Sequence, residues 1–316
     1  MNTRKVKLIN YRLPDGRIIT KNPDMRVLSK NLPEFQPTSK PKFQIERHAL
    51  KEKMAILKEH MKSCDLCFRN CQVNRLNGER GYCGLGKEAY FYQVNLSIWE
   101  EKINPCWVVA LYGCESHCIF CSWPETLDLK NNEKIPIEKL WQYIEPPKYN
   151  IMFSGAGSPI PSVYSILKFL NSSPPDFSGQ IIWKSNFVEN PLIYELFPAD
   201  IWVMDIKFGN DKCASKLMTD GIRSYCSIIK QNLERLVEKK ERVIIRILLL
   251  PGHSKCCTKN IFNLIHPFRN HISVSINPDF IPEYRSAEFG LAQFVSAEEK
   301  NFAFELAENL RFTIIQ

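Results

Sequence analysis

Three cysteines, Cys114, Cys118 and Cys121, stand at C-x3-C-x2-C spacing within Gly113-Cys114-Glu115-Ser116-His117-Cys118-Ile119-Phe120-Cys121. Thiolates are the ligands iron-sulfur clusters use, and a cubane has four irons. Three thiolates leave one iron without a protein ligand, an open position at which a small molecule can bind and be reduced. The alternative is a zinc knot, but structural zinc wants four protein ligands, usually in C-x2-C pairs. His117 would have to be the fourth, and its place between two cysteines of one short loop makes tetrahedral ligation awkward.

The other cysteines fall into groups. Cys64, Cys67, Cys71 and Cys83 form C-x2-C-x3-C plus a fourth thiol in a segment punctuated by Gly78, Gly81, Gly84 and Gly86. Four thiolates can close a site. Zinc would hold such a module together, an auxiliary iron-sulfur cluster would do so and also pass electrons, and free structural thiols are a third reading. Cys213, Cys256 and Cys257 belong to neither group; they are candidates for further cluster ligation or hydrogen-atom donation, and equally for small buried residues. Cys106 and Cys226 sit in apolar patterns and read as packing.

The elements that must position these residues show in the periodicity. Residues 1–45 carry Pro14, Pro23, Pro33, Pro37 and Pro41 and suggest an irregular arm. Residues 46–105 read as a helix followed by the cysteine-rich module, the helix marked by Leu50, Met54, Leu57 and Met61. From residue 106 to 316, short β-branched runs alternate with helical patterns, as in βα units around a parallel sheet. Candidate strands are 107–113, 150–154, 180–185, 201–208, 243–249, 271–276 and 312–315. Helices are expected between them, the clearest over 221–239, with another opening at Ser296, where Glu299 completes a capping-box pattern. About six such units suggest a partial barrel with its active site at the C-terminal strand ends.

With 44% hydrophobic and 24% charged residues the composition is globular, which argues against disorder and fibrous classes. The net charge of +8 is spread along the chain, which weakens the case for an RNA partner. The start has no signal-peptide pattern, and the strongest apolar run, 243–250, contains Arg246 and stops at Pro251, far short of the roughly 20 residues of a membrane span. A cytoplasmic, reducing location with no membrane partner is expected.

A C-x3-C-x2-C motif with an aromatic residue before its last cysteine, after the first strand of a partial barrel, resembles the radical S-adenosylmethionine (SAM) superfamily. Residues 64 to 280 resemble more narrowly the pyruvate formate-lyase activating enzyme-related branch. The shared segments are the upstream cysteines from Cys64 to Gly84, the cluster loop, and Leu250-Pro251-Gly252-His253-Ser254-Lys255-Cys256-Cys257. The resemblance implies an α/β fold built as a partial (β/α)6 TIM-type barrel with an N-terminal cysteine-rich extension. It also implies a [4Fe-4S] cluster and reductive cleavage of SAM to methionine and a 5′-deoxyadenosyl radical that abstracts hydrogen from a substrate, small molecule, peptide or protein. Glycyl-radical enzyme activation is one instance. A reductant protein of flavodoxin or ferredoxin type is the implied partner. Methyl or aminocarboxypropyl transfer, and a non-catalytic iron-sulfur or zinc protein, are the competing readings.

The resemblance also assigns side chains. Gly155, Gly157 and Ser158 fall in the turn that holds the methionine end of SAM, where relatives commonly carry Gly-Gly-Glu; this chain has no acid there, leaving Ser158 or main-chain carbonyls. Asn186 and Asp205 fall near the ribose and methionine portions and Lys207 near the carboxylate, with a plain Asp205–Lys207 ion pair as the alternative. Phe120 falls beside the adenine, or packs in the core. Arg246 needs an anionic partner, from SAM, substrate or protein. His253 in the Leu-Pro-Gly-His turn faces the cofactor by the same resemblance, or is structural.

Overall fold

The computed structural model describes residues 9–12, 18–21, 39–97, 102–130, 134–144, 148–154, 157–220 and 222–315. Within the segment whose prolines suggest an irregular arm, β1 (Ile9–Arg12) and β2 (Ile18–Lys21) pair antiparallel. The arm ends in a short helix, α1 (Lys42–Ile45), whose buried Phe43 meets Phe177 at 5.9 Å between ring centroids. Asp200 fastens that end to the sheet: one carboxylate oxygen accepts from the Lys42 N–H at 2.9 Å and the other from the Ile181 N–H at 2.8 Å. Helix α2 (Leu50–Lys62) buries Leu50, Leu57 and Met61, the stripe its periodicity predicts, with Met54 packed at its margin.

The β elements that follow are β3 (Tyr90–Ser97), β4 (Cys106–Leu111), β5 (Ile135–Pro136), β6 (Asn150–Ser154), β7 (Ile181–Ser185), β8 (Ile201–Ile206), β9 (Val243–Leu248) and β10 (Ile272–Asn277). Helices α3 (Val163–Asn171), α4 (Ile193–Leu196), α5 (Asp211–Leu217), α6 (Tyr225–Glu238), α7 (Lys259–Ile265) and α8 (Ala297–Asn309) lie between and after them. Strands β4 and β6 to β10 lie side by side in chain order, all parallel. At the β4 edge β3 adds antiparallel, and β5 pairs with β3. The result is an α/β fold with one open, unclosed sheet, compatible with a partial barrel.

Alternation along the strands creates two faces. Trp183, Trp202, Met204 and Ile245 point to the main core under the helices. Cys106, Met152, Ile182, Ile201, Val203 and Ile244 form a separate apolar layer on the opposite face. One step further toward the C-terminal ends, the same alternation puts Ser154, Lys184, Asp205 and Arg246 above that layer. The register sets Asp205 directly beside Arg246.

Three expectations need correction. The run 312–315 forms no strand, only a single bridge from Ile314 to Val274, because the chain meets β10 as it leaves α8. The described part of the β4 to β6 connection holds 3-10 turns at Pro124–Leu127 and Ile137–Tyr143 rather than an α-helix. Strand β3 was not expected, because all but one of its described side chains are half-buried and give no clean alternation. The capping box at the start of α8 forms as its sequence suggests, Ser296 and Glu299 each bonding the other's backbone N–H.

Glu189, just past β7, is buried and accepts hydrogen bonds from Trp183 Nε1 at 2.9 Å, from the Tyr194 hydroxyl at 3.1 Å and from Ser185. Burial raises its pKa from 4.5 to about 6 in spite of those donors. The folded state thus holds a proton that the unfolded state releases, so the neutral carboxyl favours folding below pH 4.5 and this contribution is lost as pH rises through about 6. Glu189→Gln is expected to flatten this part of the pH–stability curve by up to about 2 kcal/mol. Denaturant titrations at pH 5 and 7.5 check it; equal pH dependence in both proteins would contradict it.

Candidate functional site

At the C-terminal ends of the six parallel strands lies a cavity of about 600 Å³. Cys114, Cys118 and Cys121 line one side, and Lys184, Asn186, Asp205, Lys207 and Arg246 line another. The cysteines come from the loop after β4, and the other five from a strand end or the residue or two beyond it, which is where a parallel α/β sheet opens to ligands.

Asp205 is the electrostatic centre of that wall. Its Oδ2 takes Lys184 Nζ at 2.6 Å and Lys207 Nζ at 3.5 Å. Burial works against the carboxylate, but the two ammonium groups outweigh it and hold its pKa down; Lys207 is raised in turn, Asp205 overcoming the burial. The plain Asp205–Lys207 pair is therefore a triad in which Lys184 is the nearer partner. Asp205 Oδ1, also buried, has no hydrogen-bond partner among the described residues. Lys207 Nζ reaches Asn186 Oδ1 at 2.7 Å, and burial lowers Arg246 to about 10. Counting Arg246, this wall carries three cations and one anion, and Asp279 adds a second anion to the cavity lining, which leaves a surplus of one positive charge.

The cysteine loop is built by its backbone. Gly113 has φ +80°, and a Cβ there would fall 2.9 Å from the Cys83 carbonyl and 2.8 Å from Leu85 Cγ, so only glycine fits between the loop and the upstream module. His117 adopts φ +45°, reversing the chain between Cys114 and Cys118. The loop is then pinned from outside: Ile119 N–H donates to the Leu217 carbonyl at 3.0 Å, and Thr219 N–H to that of His117 at 3.1 Å. N–H groups face the sulfurs, Ser116 to Cys114 Sγ at 3.3 Å and Trp123 to Cys121 Sγ at 3.4 Å, with Asn186 Nδ2 at 3.5 Å from Cys114 Sγ. Burial raises the Cys114 thiol well above its usual range and Cys118 to about 12, although Lys207 opposes it at Cys118.

Phe120 lines the cavity and packs edge-on against Phe208 and Phe280, each 6.0 Å away. Gly157 also lines it, and a Cβ there would lie 2.4 Å from the Gly113 carbonyl, so its first role is to let this turn back onto the cysteine loop. Two expected residues lie elsewhere. Ser158 is buried in the turn, its N–H bonded to the Gly113 carbonyl at 2.8 Å and its hydroxyl accepting from Ile160 N–H at 3.3 Å. His253 lies beside Cys256 and Cys257, not on the cavity. Gly155 falls outside the described residues. Lys184, Asn277 and Asp279 line the cavity without having been singled out as ligands. For Lys184 the available signal was a lysine one residue before a serine-asparagine strand end.

Cys64, Cys67, Cys71 and Cys83 surround a second, smaller cavity with the guanidinium-bearing Arg69 and Arg75. Arg75 is buried and ties the module down, its Nη2 donating to the Gly86 and Pro161 carbonyls at 2.6 Å. Arg69 joins the two cysteine groups, donating to the Glu115 carbonyl at 2.9 Å and lying 3.8 Å over the Tyr82 ring. Burial raises Cys83 to about 11 despite Arg75. Among the described residues, the only set of three or more Cys, His or acidic donors lying within 4.8 Å of one another is Cys213, His253, Cys256 and Cys257. Neither the loop thiols, with or without His117, nor the upstream four form such a set.

No protein-family profile matches the chain. It is 31% identical over 285 residues to the uncharacterized protein MJ0674 of Methanocaldococcus jannaschii, spanning 86% of this chain and 82% of that one, and it belongs to the same family. Among solved structures it resembles a radical SAM methyltransferase from Sphaerobacter thermophilus, with a TM-score of 0.49 and 15% identity over 67% of this chain and 66% of that one. It also resembles SuiB of Streptococcus suis, with a TM-score of 0.38 and 15% identity over 64% of this chain and 46% of that one. At that similarity neither structure carries a functional argument. Among the described residues no helix is long and apolar enough to cross a membrane.

Proposed function

We propose that the chain is a radical SAM enzyme, with Cys114, Cys118 and Cys121 holding a [4Fe-4S] cluster beside a SAM-binding cavity. The observation that carries the reading is the pairing of three thiols with a cationic wall, around one cavity at the C-terminal strand ends. The residues fit the groups. Sulfurs bound to a single tetrahedral ion lie about 3.8 Å apart, from Zn–S bonds of about 2.3 Å; the loop thiols do not gather within 4.8 Å, which suits a cluster with a separate iron for each. Backbone N–H groups aimed at Cys114 and Cys121 are the donors that steady cluster sulfurs.

When bound, the cluster and SAM together supply a one-electron reductive cleavage that releases methionine and a 5′-deoxyadenosyl radical. The protein's part is binding, orientation and exclusion of water. Lys207 and Arg246 would face the SAM carboxylate. The buried Oδ1 of Asp205 would accept from a ribose hydroxyl, since the flanking Lys184 and Lys207 disfavour a third ammonium beside it. Main-chain groups of Ser154 and Gly157 would take the SAM ammonium in place of the missing acid, and Phe120 would pack near the adenine. Cys64, Cys67, Cys71 and Cys83, around one small enclosed space, would hold either a zinc ion or an auxiliary iron-sulfur cluster.

Hydrogen abstraction from a small molecule, peptide or protein is the proposed reaction, with a flavodoxin- or ferredoxin-type reductant as electron donor; activation of a glycyl-radical protein is one instance of it. Anaerobic reconstitution followed by dithionite and SAM tests the reading. Wild type is expected to accumulate 5′-deoxyadenosine. S-adenosylhomocysteine or methylthioadenosine would redirect it to group transfer, and no SAM-derived product would end it.

A further inference from the structure

We infer that Cys213, His253, Cys256 and Cys257 form a closed, structural zinc site, separate from both cysteine groups above. Nothing in the radical SAM reading requires it, and the two stand or fall independently.

Three of the six donor–donor distances match the edges of one tetrahedral ion, and the other three lie within 4.8 Å. Zn–S bonds of about 2.3 Å and a Zn–N bond of about 2.0–2.1 Å require S···S edges near 3.8 Å and S···N edges near 3.6 Å. Here Cys213 Sγ lies 3.9 Å from Cys256 Sγ, and His253 Nδ1 lies 3.4 Å from Cys256 Sγ and 3.5 Å from Cys257 Sγ. All four donor atoms fall within 4.8 Å of one another. The four are free thiols and an imidazole; none of the cysteines is paired in a disulfide. Three soft sulfurs and one imidazole are a Cys3His donor set, a standard composition of structural zinc.

Local folding brings them together from two loops. His253, Cys256 and Cys257 occupy i, i+3 and i+4 positions, so they share one side of a turn. That turn is a π-helix over Ser254–Thr258, in which the His253 carbonyl accepts from both Cys257 N–H at 2.8 Å and Thr258 N–H at 3.2 Å. Such widened turns recur at functional sites. Cys213 comes from the first turn of α5, across the gap. Asn210 caps that helix, its Oδ1 accepting from Cys213 N–H at 2.8 Å. Its Nδ2 donates to the Cys256 carbonyl at 2.6 Å and lies 3.3 Å from Cys213 Sγ and 3.9 Å from Cys257 Sγ. One amide thus orients ligands on both loops, as an outer-shell partner of a metal site does. On the far side Glu299 holds the turn in place, accepting from Gly252 N–H at 2.7 Å.

The site's effect is mechanical. It joins the chain after β8, which carries Lys207, to the chain after β9, and so fixes two neighbouring walls of the main cavity. A closed four-ligand site has no open position for substrate, so it takes no part in the reaction.

The test is anomalous diffraction from crystals of the reduced full-length protein, with data above and below the zinc edge. A zinc peak enclosed by Cys213, His253, Cys256 and Cys257 is the expected result. No peak there, or an iron signal in its place, overturns the proposal. In solution, Cys213→Ser with Cys256→Ser should lower zinc by one atom per chain and leave iron unchanged. His253→Cys should retain zinc, because four cysteines also close such a site. Zinc unaltered in the double variant would contradict the assignment; if that variant does not fold, the wild-type map decides.

Discussion

Cys118→Ala is expected to lower the iron of anaerobically reconstituted protein by about four atoms per chain and to abolish SAM cleavage. The effect should be chemical rather than a loss of fold. The loop around Cys118 is anchored by backbone groups, with Cys118 bridged to Met218 and its neighbours bonded to Leu217 and Thr219, and none of these contacts uses the thiol. Alanine removes only the sulfur from a buried position. Cys106→Ala is the control: Cys106 is as buried as any residue in the chain but sits on the apolar floor, so its variant should keep its iron. Equal iron in wild type and Cys118→Ala would remove the loop from cluster binding.

Asp205→Asn should weaken SAM binding by about 10- to 100-fold, the loss of a charge-assisted hydrogen bond of about 1.5–3 kcal/mol. The same change leaves the part-buried Lys184 and Lys207 without their shared carboxylate, at a cost in stability below the about 3–5 kcal/mol of breaking a fully buried pair. The two effects are separable. Equilibrium dialysis with SAM on the folded variant reads the first, and denaturant unfolding reads the second. Wild-type affinity with reduced stability would make Asp205 a purely structural anchor for the two lysines.

Much of this was legible in the residues. The cysteine spacing located the loop, and β-branched runs located β4 and β6 to β10 within a residue or two, because fully buried parallel strands are written as continuous apolar stretches. Strand β3 was hidden for the opposite reason: it is an antiparallel strand near the sheet edge, half-buried nearly throughout. Lys184 shows where one-dimensional reading stops. Its neighbours Ser185 and Asn186 mark a strand end, but only the register that sets Lys184 beside Val203 brings its ammonium onto Asp205. His253 was visible as an unusual residue in a Leu-Pro-Gly-His turn. That it meets Cys213 depends on the packing of two loops 40 residues apart in the chain, which no local pattern encodes.

The vacant iron corner is the physical core of the proposal, and spin-resonance spectroscopy probes it directly. Reduced, anaerobic protein should give an iron-sulfur signal that changes on adding SAM, with couplings from isotope-labelled amino nitrogen and carboxylate of the cofactor, and the change should vanish in Cys118→Ala. A wild-type signal indifferent to saturating SAM, or a cluster whose fourth iron carries a protein side chain, would contradict it.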